Sequence, residues 1–143
     1  MKIIIINGPN LNLLGKRQQD IYGNQSFEDY FHALSVKHTQ HELSYYQSNH
    51  EGLLIEKIQE VGFDFDGVVL NAAGYTHTSI ALMDSILAIS TPVVEVHISN
   101  IYEREPFRHH SYISKAAQHV IVGKGLKGYD EAIQWLESSN KQG

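Results

Sequence analysis

The chain has 143 residues, 42% hydrophobic and 19% charged, the size of one domain that can bury a sizeable core without metal or disulfide support. Sixteen acidic against eleven basic residues give a formal net charge of -5, which disfavours nucleic acid and anionic membranes, and no basic patch offsets it. Cysteine is absent, which excludes disulfides, thiolate nucleophiles and cysteine-ligated zinc.

In chain order, the apolar run at residues 3–6 is too short for a signal-peptide core and reads as a buried first strand. Residues 7–25, punctuated by Gly8, Pro9, Gly15 and Gly23, form a long loop of the kind that serves as a lid or binding loop. Ser26 is the expected N-cap of a helix over residues 26–39. The alternating stretch 42–47 suits an edge strand. A helix over 52–61 closed by Gly62, a buried strand at 67–70, a helix over 78–89, strands at 93–96 and 120–122, and a last helix over 130–137 complete the pattern. No apolar stretch approaches the length of a membrane span, so the expected location is the cytoplasm.

Strand and helix alternate over residues 1–143, which predicts a single α/β domain. The expected architecture is a flavodoxin-like three-layer sandwich around a five-stranded parallel sheet of order 2-1-3-4-5. Ligands of such sheets bind outside the carboxyl ends of the strands, where the strand order reverses. Polar residues crowd there: Asn7-Gly8-Pro9-Asn10 after strand one, Asn71 and Tyr75-Thr76-His77-Thr78 after strand three, His97-Ile98-Ser99-Asn100 after strand four.

The long loop carries Arg17 and Tyr22. A tyrosine phenol titrates near 10, so acting as a base near neutral pH requires a cation beside it. Spacing alone favours reading Tyr22 as a loop tyrosine and Arg17 as a solvated charge. His97 leaves the sheet at the end of strand four with Glu95 on the same face, a pairing suited to a general acid; a strand-end histidine with an ordinary hydrogen bond has the same spacing. His77 lies at the approach to a helix whose free N–H groups suit a carboxylate, with Thr78 or Ser79 as the ordinary cap. Arg104 and Arg108 flank Pro106 after strand four, close enough in sequence to the His97 end to meet an oxyanion or hydroxyl.

Nine histidines include no His-x-x-x-His or His-Glu-x-x-His pattern, so no metal is expected. Gly123-Lys124-Gly125-Leu126-Lys127-Gly128 matches a dinucleotide fingerprint but follows the last strand, and turn geometry explains its glycines better.

Taken together, Asn7-Gly8-Pro9-Asn10-Leu11-Asn12, Ile21-Tyr22-Gly23, Asn71 with Tyr75-Thr76-His77-Thr78-Ser79, Glu95-Val96-His97-Ile98-Ser99-Asn100 and Arg104-Glu105-Pro106-Phe107-Arg108-His109-His110-Ser111-Tyr112 resemble the type II 3-dehydroquinate dehydratases over nearly the whole chain. The resemblance implies anti elimination of water from 3-dehydroquinate through an enolate-like intermediate, a step of the shikimate route to chorismate and aromatic amino acids. It implies Tyr22 as base beside Arg17, His97 as acid oriented by Glu95, and Asn10 holding a water near the enolate oxygen. Asn71, His77, Ile98, Ser99 and Arg108 would bind substrate, with Ile98 and Ser99 acting through backbone groups. It further implies no cofactor, a lid from Arg17 to Tyr22, and a homododecamer of four trimers in which Asp84 reaches a neighbouring subunit's site.

The chain departs from the family pattern at Gln18-Gln19, where many members carry Glu-Pro after the arginine, and at Ala72-Ala73-Gly74. Loss of the proline predicts a more mobile lid. Rival readings fare worse. A flavin module lacks the expected hydroxyls in residues 7–25, a phospho-receiver would need an aspartate where Asn71 stands, and a lysine Schiff-base dehydratase is a separate, unrelated alternative.

Overall fold

The structure, a computed structural model, describes residues 1–142. Its elements are β1 (Lys2–Asn7), a helical turn α1 (Gln19–Tyr22), α2 (Phe27–Lys37), β2 (Glu42–Gln47), α3 (Glu51–Val61), β3 (Gly67–Asn71), α4 (Ile80–Leu87), β4 (Val93–His97), β5 (His119–Val122) and α5 (Lys127–Gln142). The strands form one parallel sheet of order β2-β1-β3-β4-β5. That is the expected flavodoxin-like topology, with the order reversing between β1 and β3.

The alternation of a strand's side chains sorts its residues between two cores. Ile3 and Ile5 of β1 pack with Phe27, Leu34, Ile133 and Leu136 under α2 and α5. Ile4 and Ile6 pack with Leu54, Ile58, Leu82 and Ile86 under α3 and α4. β1, β3 and β4 are therefore buried on both faces, β4 with the carboxylate of Glu95 inside, which is why they read as short, mostly apolar runs; each buried isoleucine or leucine contributes about 1.5–3 kcal/mol. β2, at the edge, is only half-buried.

Helix ends follow local chemistry, and several shift from expectation; α2, for example, ends at Lys37 rather than residue 39. Ser26 caps α2, its hydroxyl accepting from the Asp29 N–H at 3.2 Å. α4 starts at Ile80 because Ser79, not Thr78, is the cap, accepting from the Leu82 N–H at 2.9 Å. Gly62 ends α3 without a left-handed turn, at φ -69; it is small because a Cβ there would lie 2.2 Å from the Ile89 side chain. α5 runs past Glu137 to Gln142, since Ser138, Ser139 and Asn140 weaken a helix without breaking it. The Gly123-to-Gly128 segment is a turn entering α5, with Gly123 and Gly125 at φ +76 and +62, conformations that favour glycine.

Candidate active site

At the carboxyl ends of β1, β3 and β4 lies a cleft of about 250 Å³. Asn10, Arg17, Tyr22, Asn71, His77, His97, Ile98, Ser99 and Arg108 all line it. Glu95 is fully buried beneath His97, and Asp84 is exposed on α4, outside the cleft's lining.

The floor is a buried polar brace. Asn7 and Asn71 end the paired strands β1 and β3 in register. The Tyr129 hydroxyl donates to Asn7 Oδ1 at 2.8 Å and accepts from Asn71 Nδ2 at 3.0 Å. Burial pushes the Tyr129 phenol up, which keeps it neutral and able to donate. Asn71 Oδ1 in turn accepts from the Ala73 N–H at 3.1 Å, holding Ala73 at φ +53, a left-handed conformation that costs roughly 1–2 kcal/mol outside glycine. Gly8 is required here because a Cβ would lie 2.6 Å from the Ala72 carbonyl oxygen.

Tyr22, at the end of α1, faces two guanidinium groups. Arg104 Nη1 donates to its hydroxyl at 3.0 Å. Arg17 stacks on the ring, 5.0 Å from guanidinium carbon to ring centroid, and donates to Gln18 Oε1. The expected partner Arg17 is thus beside the ring, while Arg104 makes the direct bond. Spacing could not select Arg104, because it lies 82 residues away in sequence; its place in the irregular segment after β4 was the available signal. Gln18 sits at φ +41, and this left-handed start is disfavoured immediately before a proline. The loop is therefore not a proline-bearing loop with the ring simply removed; Gln19 Nε2 ties it instead to the Gly15 carbonyl at 3.0 Å.

His97 Nε2–H donates to Glu95 Oε2. Glu95 also accepts from Ser111 Oγ at 2.7 Å and Ser114 Oγ at 2.5 Å. Burial raises the Glu95 carboxyl, but the His97 bond and charge and the two serine hydroxyls outweigh it, leaving the group below the usual carboxylate range. An ionised carboxylate thus takes one side of the imidazole, and Nδ1 of His97 carries no protein hydrogen bond among the described residues. Ser111 and Ser114 have no assigned role at the level of sequence, since hydroxyls sixteen and nineteen residues beyond Glu95 follow no local period.

His77 Nδ1–H donates to the His110 carbonyl at 2.7 Å. Burial pushes this imidazole down, partly countered by the His110 carbonyl, and the His97 and Arg108 charges push it further down. Neutral His77 therefore presents Nε2 as an acceptor. The backbone N–H groups of Ile98 and Ser99 are not taken up by another described residue, and Arg108 Nε donates to Glu105 at the rim. The N-terminus of α4 does not line the cleft, whereas Ile98, Ser99 and Arg108 do. The cleft holds a phenol against cations, an imidazole against a carboxylate, and N–H donors suited to an anion.

The family model for dehydroquinase class II matches residues 1–137. A 3-dehydroquinate dehydratase of Histophilus somni is 50% identical over 143 residues, covering 99% of this chain and 95% of its own length. The crystal structure of a type II dehydroquinase from Butyrivibrio crossotus superposes with TM-score 0.92 at 48% identity, covering 96% of this chain and 97% of that one. A second, from Propionibacterium acnes, gives 0.89 at 37% identity over 96% of each chain. With fold, cleft and family in agreement, the chain belongs to the type II (class II) dehydroquinases.

Proposed function

We propose that the chain is a 3-dehydroquinate dehydratase, a hydro-lyase that removes water by anti elimination to give 3-dehydroshikimate, working as a cytoplasmic homododecamer. The family match and the relatives named 3-dehydroquinate dehydratase support the reaction. The observation that carries the roles is one cleft with two opposed environments: Tyr22 against Arg104 and Arg17, and His97 against ionised Glu95.

Tyr22, as phenolate, takes the proton alpha to the substrate ketone, and the electron pair delocalises onto the ketone oxygen as an enolate. A water held by Asn10 stabilises that oxygen. The enolate collapses, the carbon–oxygen bond of the tertiary hydroxyl breaks, and His97 delivers its Nδ1 proton so that water departs. The turnover leaves Tyr22 protonated and His97 neutral, and transfer of one proton from the phenol to the imidazole through solvent restores both. His77 accepts from a substrate hydroxyl. Asn71, Ile98, Ser99 and Arg108 hold the substrate's polar groups, the last three at its carboxylate.

The product is a conjugated enone, so ultraviolet absorbance on mixing with 3-dehydroquinate tests the reaction. A signal in the wild type, lost in Tyr22→Phe and His97→Ala, is expected. Activity surviving Tyr22→Phe would move the base elsewhere, and no signal from folded wild type would overturn the assignment.

The dodecamer of four trimers is supported by α4, where Ile80 and Leu87 are 51% and 61% exposed beside Asp84, an apolar and acidic surface suited to a neighbouring subunit's cleft. Light scattering should give twelve times the 16.2 kDa of one chain.

A further inference from the structure

At the end of the sheet opposite the cleft, where β2 begins, three side chains converge that the dehydration does not use. His38 ends α2, His41 lies in the turn before β2, and Glu137 comes from α5. One ligand atom from each lies within 4.8 Å of the others. His38 Nδ1 is 3.7 Å from Glu137 Oε1, and His41 Nε2 is 2.5 Å from the same oxygen.

Two features distinguish this cluster from an ordinary ion-pair network. First, His38 has only 6% of its side chain exposed, yet its Nδ1 is buried with no hydrogen-bond partner among the described residues, an uncommon state for a buried polar atom. That lone nitrogen faces the Glu137 carboxylate. Second, the opposite nitrogen, Nε2, is held by Asp130 Oδ1 at 2.5 Å, and Lys37 holds the other Asp130 oxygen at 2.5 Å. A carboxylate on the far side of an imidazole fixes its tautomer with the proton on Nε2, leaving Nδ1 as a bare ligand atom.

We propose that His38 Nδ1, His41 Nε2 and Glu137 bind a divalent transition-metal ion of the zinc class, with Asp130 as the outer carboxylate that orients His38. Two imidazoles and a carboxylate suit zinc better than calcium or magnesium, which take oxygen ligands. Tetrahedral zinc at roughly 2.0–2.1 Å from its ligands sets them roughly 3.3 Å apart. The His38–Glu137 separation already approaches that spacing. The shorter His41–Glu137 contact is a hydrogen bond that the metal would replace: the ring proton moves from Nε2 to Nδ1, where the Met1 amine, 3.2 Å away, accepts it after losing one proton to solvent. Gln40 Nε2, 3.2 Å from Glu137 Oε1, and solvent lie beside the fourth position, and Glu137 is one-quarter exposed, so an ion has a way in. The site would pin the carboxyl end of α2 and the start of β2 to α5.

Untagged, chelator-treated full chain is titrated with zinc chloride by calorimetry, beside His41→Gln, Glu137→Gln and Asp130→Asn. Wild type should bind one zinc per chain, and His41→Gln and Glu137→Gln should each lose that equivalent while keeping wild-type circular dichroism and dehydration rate. Asp130→Asn should weaken binding roughly 10- to 100-fold. Cobalt should give visible absorption of a four-coordinate site, absent from both ligand variants. No zinc equivalent in wild type, or one retained in both ligand variants because it sits on the cleft histidines, would overturn the proposal.

Discussion

Arg104 reaches across 82 residues of sequence to donate a hydrogen bond to the Tyr22 hydroxyl at 3.0 Å, while Arg17, five residues away in the same loop, covers the ring face. The direct donor meets the oxygen that carries the charge in the proposed base role, so the two arginines differ in consequence. A hydrogen bond to a charged group contributes about 1.5–3 kcal/mol. Arg104→Gln is therefore expected to lower kcat about 10- to 100-fold with a smaller change in KM. A steady-state comparison in which KM carries the whole effect would instead make Arg104 a substrate-binding residue.

Glu95 links the proposed acid, His97, to stability. Its carboxyl is held below the ordinary range because the contacts with His97, Ser114 and Ser111 outweigh the opposing effect of burial. A folded-state value below the unfolded one means that the group's stabilisation is present above the unfolded value, near 4.3, and is lost as pH falls through the lower folded value. Urea unfolding from pH 6 to pH 3.5 should show wild type losing more stability than Glu95→Gln across that window. Parallel curves would show that Glu95 is not linked to acid unfolding.

Tyr129 is buried between the two strand-end asparagines. Tyr129→Phe keeps the ring and leaves Asn7 Oδ1 and Asn71 Nδ2 without this partner, a loss of roughly 1–3 kcal/mol. Chemical denaturation measures it directly. Because Asn71 lines the cleft, KM for 3-dehydroquinate should also rise, and an unchanged KM would separate the brace from binding.

The Arg17-to-Tyr22 loop is tied near its start by Gln19 and at its end by Arg104. Gln19 is the first residue of α1, and its side chain holds the Gly15 carbonyl. Proline suits a first helical position but disfavours the left-handed Gln18 before it. Gln19→Pro removes that tie and strains Gln18, so it should speed amide exchange across residues 20–23 and change turnover without abolishing dehydration. Matching exchange rates in the two proteins would show that this position does not set lid mobility.

Much of the molecule is legible along the chain. The runs in β1, β3 and β4 signal strands buried on both faces, the helices between them signal a parallel sheet, and the reversal of strand order marks where polar residues such as His97 and Asn71 must gather. Hydrophobic periodicity is a local property, so it survives in one dimension. The element ends are less legible where neighbouring residues compete for a role, as Thr78 and Ser79 do for the cap of α4.

The sequence by itself determined the sheet, the end of it that carries the cleft, and the family whose motifs line that cleft. Only the tertiary structure decided which arginine bonds Tyr22, which serines hold Glu95, and that Tyr129 joins Asn7 to Asn71 across 122 and 58 residues. It also brought His38 and His41 to Glu137, 96 residues beyond His41. The physical reason is the range of the interactions: secondary structure answers to neighbours three or four positions away, whereas a hydrogen bond in the site depends on two helices or loops packing to within a few ångströms.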